Sequence, residues 1–126
     1  VSGIDDCLRQ AMAIPGAIGA SLVDYTTGFA LGAVGAAPGD DPDGTATGTA
    51  DIVHAAVSRS PFASVRPGDG VEDLIITTAG GYHLIRPLRT GFDSRLALYL
   101  WLDKDLGNLA VGRRRLRMLA ENLVTA

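Results

Sequence analysis

The sequence has a single cysteine, a single lysine, no long apolar run and no excess of positive charge. With Cys7 alone, no internal disulfide can form and no cysteine-based zinc site can be built. A reducing, cytoplasmic setting is therefore expected. No apolar stretch approaches the roughly 18 residues needed to span a bilayer, and no charged-then-apolar leader opens the chain. Net charge is −3 and the pI about 5.1, which argues against general nucleic-acid binding, since that draws on a clustered positive surface. Lys104 stands beside ten arginines; together with the many Ala and Gly this reads as GC-rich coding bias, without functional content.

What is present is an ordinary globular composition, 47% hydrophobic and 20% charged over 126 residues. That length fits one domain, 1–126, and can bury an adequate apolar core. Ile4, Cys7, Leu8, Ala11 and Met12 share one helical face, predicting a helix over about 3–13 with Ser2 at its cap, stopped by Pro15-Gly16. Residues 17–24 and 29–34 read as strands joined by a hairpin in which Gly28 takes positive φ. Gly19 and Ser21 leave one face of the first strand open to close approach by a helix. The Gly/Asp-rich stretch 36–44 reads as a surface loop. Ala46, Ala50, Val53 and Val57 keep helical spacing, predicting a second helix over 45–59, weakened by Gly48.

After a loop over 62–70 containing Pro67-Gly68-Asp69-Gly70, three strands are expected at 71–78, 82–88 and 95–102. In the last, Leu96, Leu98, Leu100 and Leu102 alternate with Ala97, Tyr99 and Trp101. Both faces are apolar, as a central strand covered on each side requires. A final helix over 105–124, capped by Asp103 or Asp105, presents Leu109, Gly112, Leu116, Leu119, Ala120 and Leu123 to the core. The order α-β-β-α-β-β-β-α predicts an α/β (α+β type) three-layer sandwich, a five-stranded antiparallel sheet with helices on both faces.

This order, filled with these residues, resembles the Roadblock/dynein light chain family, a profilin-like fold related to longin domains. The resemblance rests on Ile14-Pro15-Gly16-Ala17-Ile18-Gly19-Ala20-Ser21-Leu22-Val23-Asp24 followed by Gly28, on Gly80-Gly81-Tyr82-His83-Leu84-Ile85-Arg86-Pro87-Leu88, and on Leu98 to Leu102 with Asn108-Leu109-Ala110 and Arg113. It runs from about Ile4 to Leu123; loop 36–44 and Gly48 depart from the pattern. It implies regulation of a Ras-like small GTPase, by scaffolding or by stimulating hydrolysis, while the lack of a catalytic constellation makes the chain itself non-catalytic. It also implies homo- or heterodimers paired through the edge strand 71–78 and the helix 45–59, the homodimer being expected here. Val71, Leu74, Ile75, Ile76, Ala50, Val53 and Val57 are then interface candidates. Independently, an apolar strand with open backbone groups at a sheet edge is an aggregation hazard that two-fold pairing removes.

Other chemistry is thinly represented. Asp51, His54 and Ser58 share one face of the second helix and imitate a hydrolase set, but a regular helix supplies neither an exposed nucleophile turn nor an oxyanion donor. They read as a polar, partner-facing surface, and a small hydrolase is the least favoured alternative. Asp41-Pro42-Asp43-Gly44 lacks the first ligand and the closing acid of a calcium loop. Gly44-Thr45-Ala46-Thr47-Gly48 lacks the Gly-Lys-Ser/Thr of a phosphate loop. No cofactor or metal is expected. His83 reads as a surface or interface residue, and Cys7 as a buried, inert thiol. Arg113, Arg114, Arg115 and Arg117 form the one dense charge run: a solvated flank with Arg117–Glu121 pairing, or an acidic-partner patch in which Arg114 and Arg117 take part. Val111 and Met118 fall opposite the core stripe. A small-ligand sensory or scaffold module remains a second alternative; it requires an open pocket around Tyr99 and Trp101.

Overall fold

Apolar periodicity decides where each segment packs, and the result is a sheet sandwiched between two helices on one face and one helix on the other. The structure, a computed structural model, describes residues 2–58, 61–62, 70–88 and 95–125. The loop expected over 62–70 lies outside the described residues except for Phe62 and Gly70, and so does the Ser2 side chain. Helix α1 (Ser2–Met12) leads into strands β1 (Ala17–Asp24) and β2 (Phe29–Gly35), then helix α2 (Pro42–Ser58). Strands β3 (Leu74–Thr77), β4 (Gly81–Pro87) and β5 (Leu96–Asp103) precede helix α3 (Leu109–Thr125). The sheet order is β2-β1-β5-β4-β3, antiparallel throughout. No described helix is long and apolar enough to cross a membrane.

Strand β5 lies at the centre, as its two apolar faces require. Leu98, Leu100 and Leu102 point into the main core with Leu8, Ala11, Ile14, Leu22, Leu84 and Leu116, under α1 and α3. Each fully buried leucine there contributes roughly 1.5–3 kcal/mol relative to exposure. Ala97 and Tyr99 point the other way, into a smaller cluster with Val53 and Ile85 beneath α2.

The β1–β2 hairpin turns at Gly28, whose φ is +82°. Asp24 holds the turn: its Oδ1 accepts from the Thr26 amide at 2.9 Å and the Thr26 hydroxyl at 2.7 Å. The Thr26 hydroxyl bond, foremost, keeps that carboxyl below its usual pKa. Gly19 does permit a close approach, but the neighbour is backbone rather than a helix. A Cβ there would sit 1.8 Å from the Ala36 carbonyl oxygen.

Three sequence expectations need correction. The stretch 36–44 is not simply a loop, because Pro38–Asp40 forms a 3₁₀ turn and α2 already begins at Pro42. Asp41 caps that helix, its Oδ1 accepting from the Gly44 amide at 2.9 Å, with Pro42 at a position that needs no amide donor. Neither Asp103 nor Asp105 caps α3. Asn108 does, accepting from the Val111 amide at 3.0 Å, while Asp103 organises the preceding turn through the Asp105 and Leu106 amides. The ladder of β3 is shorter than 71–78; only Leu74–Thr77 pairs with β4.

Candidate partner-binding surfaces

Among the described residues, strand β3 is an outer strand, hydrogen-bonded only to β4. The register places Leu74 opposite Ile85 and Ile76 opposite His83, so both lie on the α2 face. Ile75, opposite Leu84, lies on the α1/α3 face. Ile75 and Ile76 are 37% and 38% exposed, and no register shift interrupts the ladder. The other edge, β2, is longer but carries an irregularity opposite Leu22/Val23 that leaves Leu31 without a partner in β1. Bulges of this kind twist an edge away from further pairing. The short, regular, apolar edge is therefore β3.

Of the α2 residues expected at an interface, Ala50 and Val53 are buried within the chain itself. Val53 packs with Ile85, Ala97 and Tyr99; Ala50 packs with Val23 and Ala46. Their spacing reported a buried stripe, and that stripe faces the chain's own sheet. Val57 and Leu74 are half-buried at the margin of the same cluster, and Val71 is half-buried before β3.

Asp51, His54 and Ser58 lie on the opposite, exposed face of α2. All three present polar groups to solvent. Ile52 beside them is also exposed.

Across the sheet on the α2 face, His83 stacks against both Tyr99 and Trp101, with ring centroids 5.9 and 5.8 Å apart. His83 Nδ1 lies 2.7 Å from Tyr99 Oη. With the imidazole proton on Nε2, the phenol O–H donates to Nδ1. Burial pushes His83 below its usual pKa and raises the Tyr99 phenol well above its own. Tyr99 is packed beneath α2, and the cavity beside it is about 40 Å³, room for about one water. The open pocket that a small-ligand module requires is therefore absent at Tyr99; Trp101 keeps partial exposure beside His83.

The arginine run on α3 is divided in its contacts. Arg113 Nε donates to Asp73 just before β3, and Arg86 of β4 has Nη1 3.9 Å from the same carboxylate. Arg117 and Glu121 form the expected i,i+4 pair at 3.7 Å. Arg114 and Arg115 are exposed, as are Val111 and Met118. Cys7 is buried, and burial raises its thiol pKa. Among the described residues no group of His, Cys, Asp and Glu is placed to hold a metal ion.

The sequence matches no protein-family model, and no curated protein matches it. Solved structures do resemble it over nearly its full length. Myxococcus xanthus MglB superposes with a TM-score of 0.79 at 19% identity, covering 98% of this chain and 86% of that one. An MglB with tetrameric arrangement gives 0.76 at 19%, covering 99% and 90%. A Roadblock/LC7 domain from Streptomyces avermitilis gives 0.67 at 14%, covering 97% and 92%. Identities this low speak to architecture alone, and on that evidence the chain has the Roadblock/LC7 fold, with its profilin-like arrangement of a five-stranded sheet between helices.

Proposed function

We propose that this protein is a non-catalytic, dimeric regulator or scaffold of a Ras-like small GTPase. The observation that carries the reading is β3: an outermost, uninterrupted strand whose Ile75 and Ile76 are left partly exposed. A two-fold axis normal to the sheet keeps the two α2 helices on the same side of the joined sheet. Residues facing each other across such a seam must share a face, so Ile75 meets Ile75 of the second copy or Ile76 meets Ile76. Half-buried Val57, Leu74 and Val71 border that seam. The exposed side of α2, with Asp51, His54 and Ser58, then forms part of a broad two-copy platform, and Arg114 and Arg117 offer charge for an acidic partner surface.

The GTPase partner follows from the Roadblock resemblance of the sequence and is supported by the fold. The likeness to an MglB with tetrameric arrangement is in keeping with self-association. The test is co-purification with small GTPases from the same genome in each nucleotide state, with hydrolysis rates measured alongside. Binding to one of them, weakened at least about tenfold by a His54→Glu or Asp51→Arg change on α2, is the expected result. Absence of binding to every such GTPase in both nucleotide states contradicts the reading.

A further inference from the structure

Where the approach to β3, strand β4 and helix α3 meet, four arginines converge. Ala110, Arg113, Arg114 and Arg117 follow at i, i+3, i+4 and i+7, one stripe of α3. Arg86 faces them from β4, and with Glu72 these residues line a cleft of about 280 Å³.

The four guanidinium groups are not equally occupied. Arg113 is committed to Asp73, and that bond raises its pKa further. Arg117 shares an exposed pair with Glu121, a contact that contributes little. Arg86 is different: its side chain is only 15% exposed, yet its approach to Asp73 is 3.9 Å, beyond hydrogen-bond reach. A guanidinium has five N–H donors, and unfilled donors taken out of water are costly. Desolvation lowers the Arg86 pKa in spite of Asp73 and Glu72 nearby, and the group remains charged at neutral pH. Arg114 lines the same cleft without an ion pair to any described residue. Asp73 is 10% exposed and already shared by two arginines. Glu72 also lines the cleft and Glu121 pairs with Arg117, so four arginines meet three carboxylates there and the cluster keeps an excess of positive charge.

We propose that this cleft binds a phosphate-type oxyanion, held between Arg86 and Arg114 with Arg117 at the rim. Guanidinium forks match the paired oxygens of such an anion, and a charge-assisted bond of this kind is stronger than a neutral one. The cleft, at about 280 Å³, has room for a phosphate-type group between the arginines. Binding of the anion to the free chain requires neither pairing through β3 nor a GTPase, although Arg114 and Arg117 are the same charges offered to a partner above.

The experiment is a titration of the full chain with inorganic phosphate at constant ionic strength, followed by amide NMR shifts, with chloride as the comparison. A phosphoserine peptide and its unphosphorylated counterpart form a second arm. Saturable shifts along residues 84–88 and 110–117 are expected with phosphate, absent with chloride. Arg114→Ala, an exposed change that leaves the core untouched, weakens phosphate about tenfold or more. Arg115→Ala, which faces the groove beside Gln10 and Ile14, leaves it unchanged. A phosphoserine peptide binding more tightly than phosphate identifies a phosphorylated partner as the source; equal affinity identifies the free anion. Shifts that never saturate, that chloride reproduces, or that Arg114→Ala and Arg115→Ala alter equally overturn the proposal.

Discussion

His83 of β4 ties two strands together at a single side chain, since Tyr99 and Trp101 both lie on β5. It is half-buried, stacked on Tyr99 and Trp101 and hydrogen-bonded to Tyr99. Its folded pKa lies below the ordinary value because burial disfavours the imidazolium. A base depressed in this way contributes stability that is complete above the unfolded pKa of about 6.5. That stability is lost as pH falls from there through the lower folded value, because only the unfolded chain gains the proton. Urea unfolding at about pH 7.5 and about pH 5 should therefore show a drop in stability that His83→Gln makes smaller. An equal drop in both proteins would show that His83 does not contribute. The alternation of Tyr99 and Trp101 against the leucines was legible in the sequence, since period two is a local property. The partnership with His83 was not, because it depends on the register between 81–87 and 96–103. Likewise the spacing of Ala50 and Val53 announced a buried stripe, but spacing alone does not say whether the covering surface belongs to the same chain.

At the scale of elements, α2 carries both a strength and a weakness that can be measured. Asp41 caps it and Pro42 starts it, so Asp41→Ala should destabilise the protein by about 1 kcal/mol. Gly48 sits inside the helix with nothing within 4 Å of where a Cβ would stand. Gly48→Ala should therefore stabilise by roughly 0.5–1 kcal/mol. Chemical denaturation of the two variants checks both signs; a stabilising Asp41→Ala or a destabilising Gly48→Ala would contradict this account of the helix. Asp followed by Pro is a helix-start signal, but the surrounding glycines and acids weigh towards loop, so the pair does not read as one and the predicted start falls three residues late. The same competition explains α3, where Asn108 outranks Asp103 as cap because Asp103 is occupied by the amides of its own turn. Strand β3 is shorter than its apolar run suggested. Asp73 is held by Arg113 from α3 and approached by Arg86, contacts that hold the chain to the α1/α3 side just before the ladder begins. They link residues as far apart as 73 and 113, and no local pattern reports them.

For the whole molecule, the order of elements and an interior place for β5 followed from periodicity, because a strand apolar on both faces must be covered on both, and the outer place of β3 followed from the resemblance. What lies across β3 is the question on which the functional reading turns. Sedimentation velocity in dilute solution is the direct measurement, made on the unaltered chain and on Ile76→Lys, with circular dichroism to verify that the variant stays folded. The unaltered protein should sediment as a dimer or a larger even assembly, and Ile76→Lys as a folded monomer, since two ammonium groups would meet or nearly meet at the seam. A monomeric unaltered protein, or a variant that self-associates undiminished, would contradict the claim that a second copy completes this sheet.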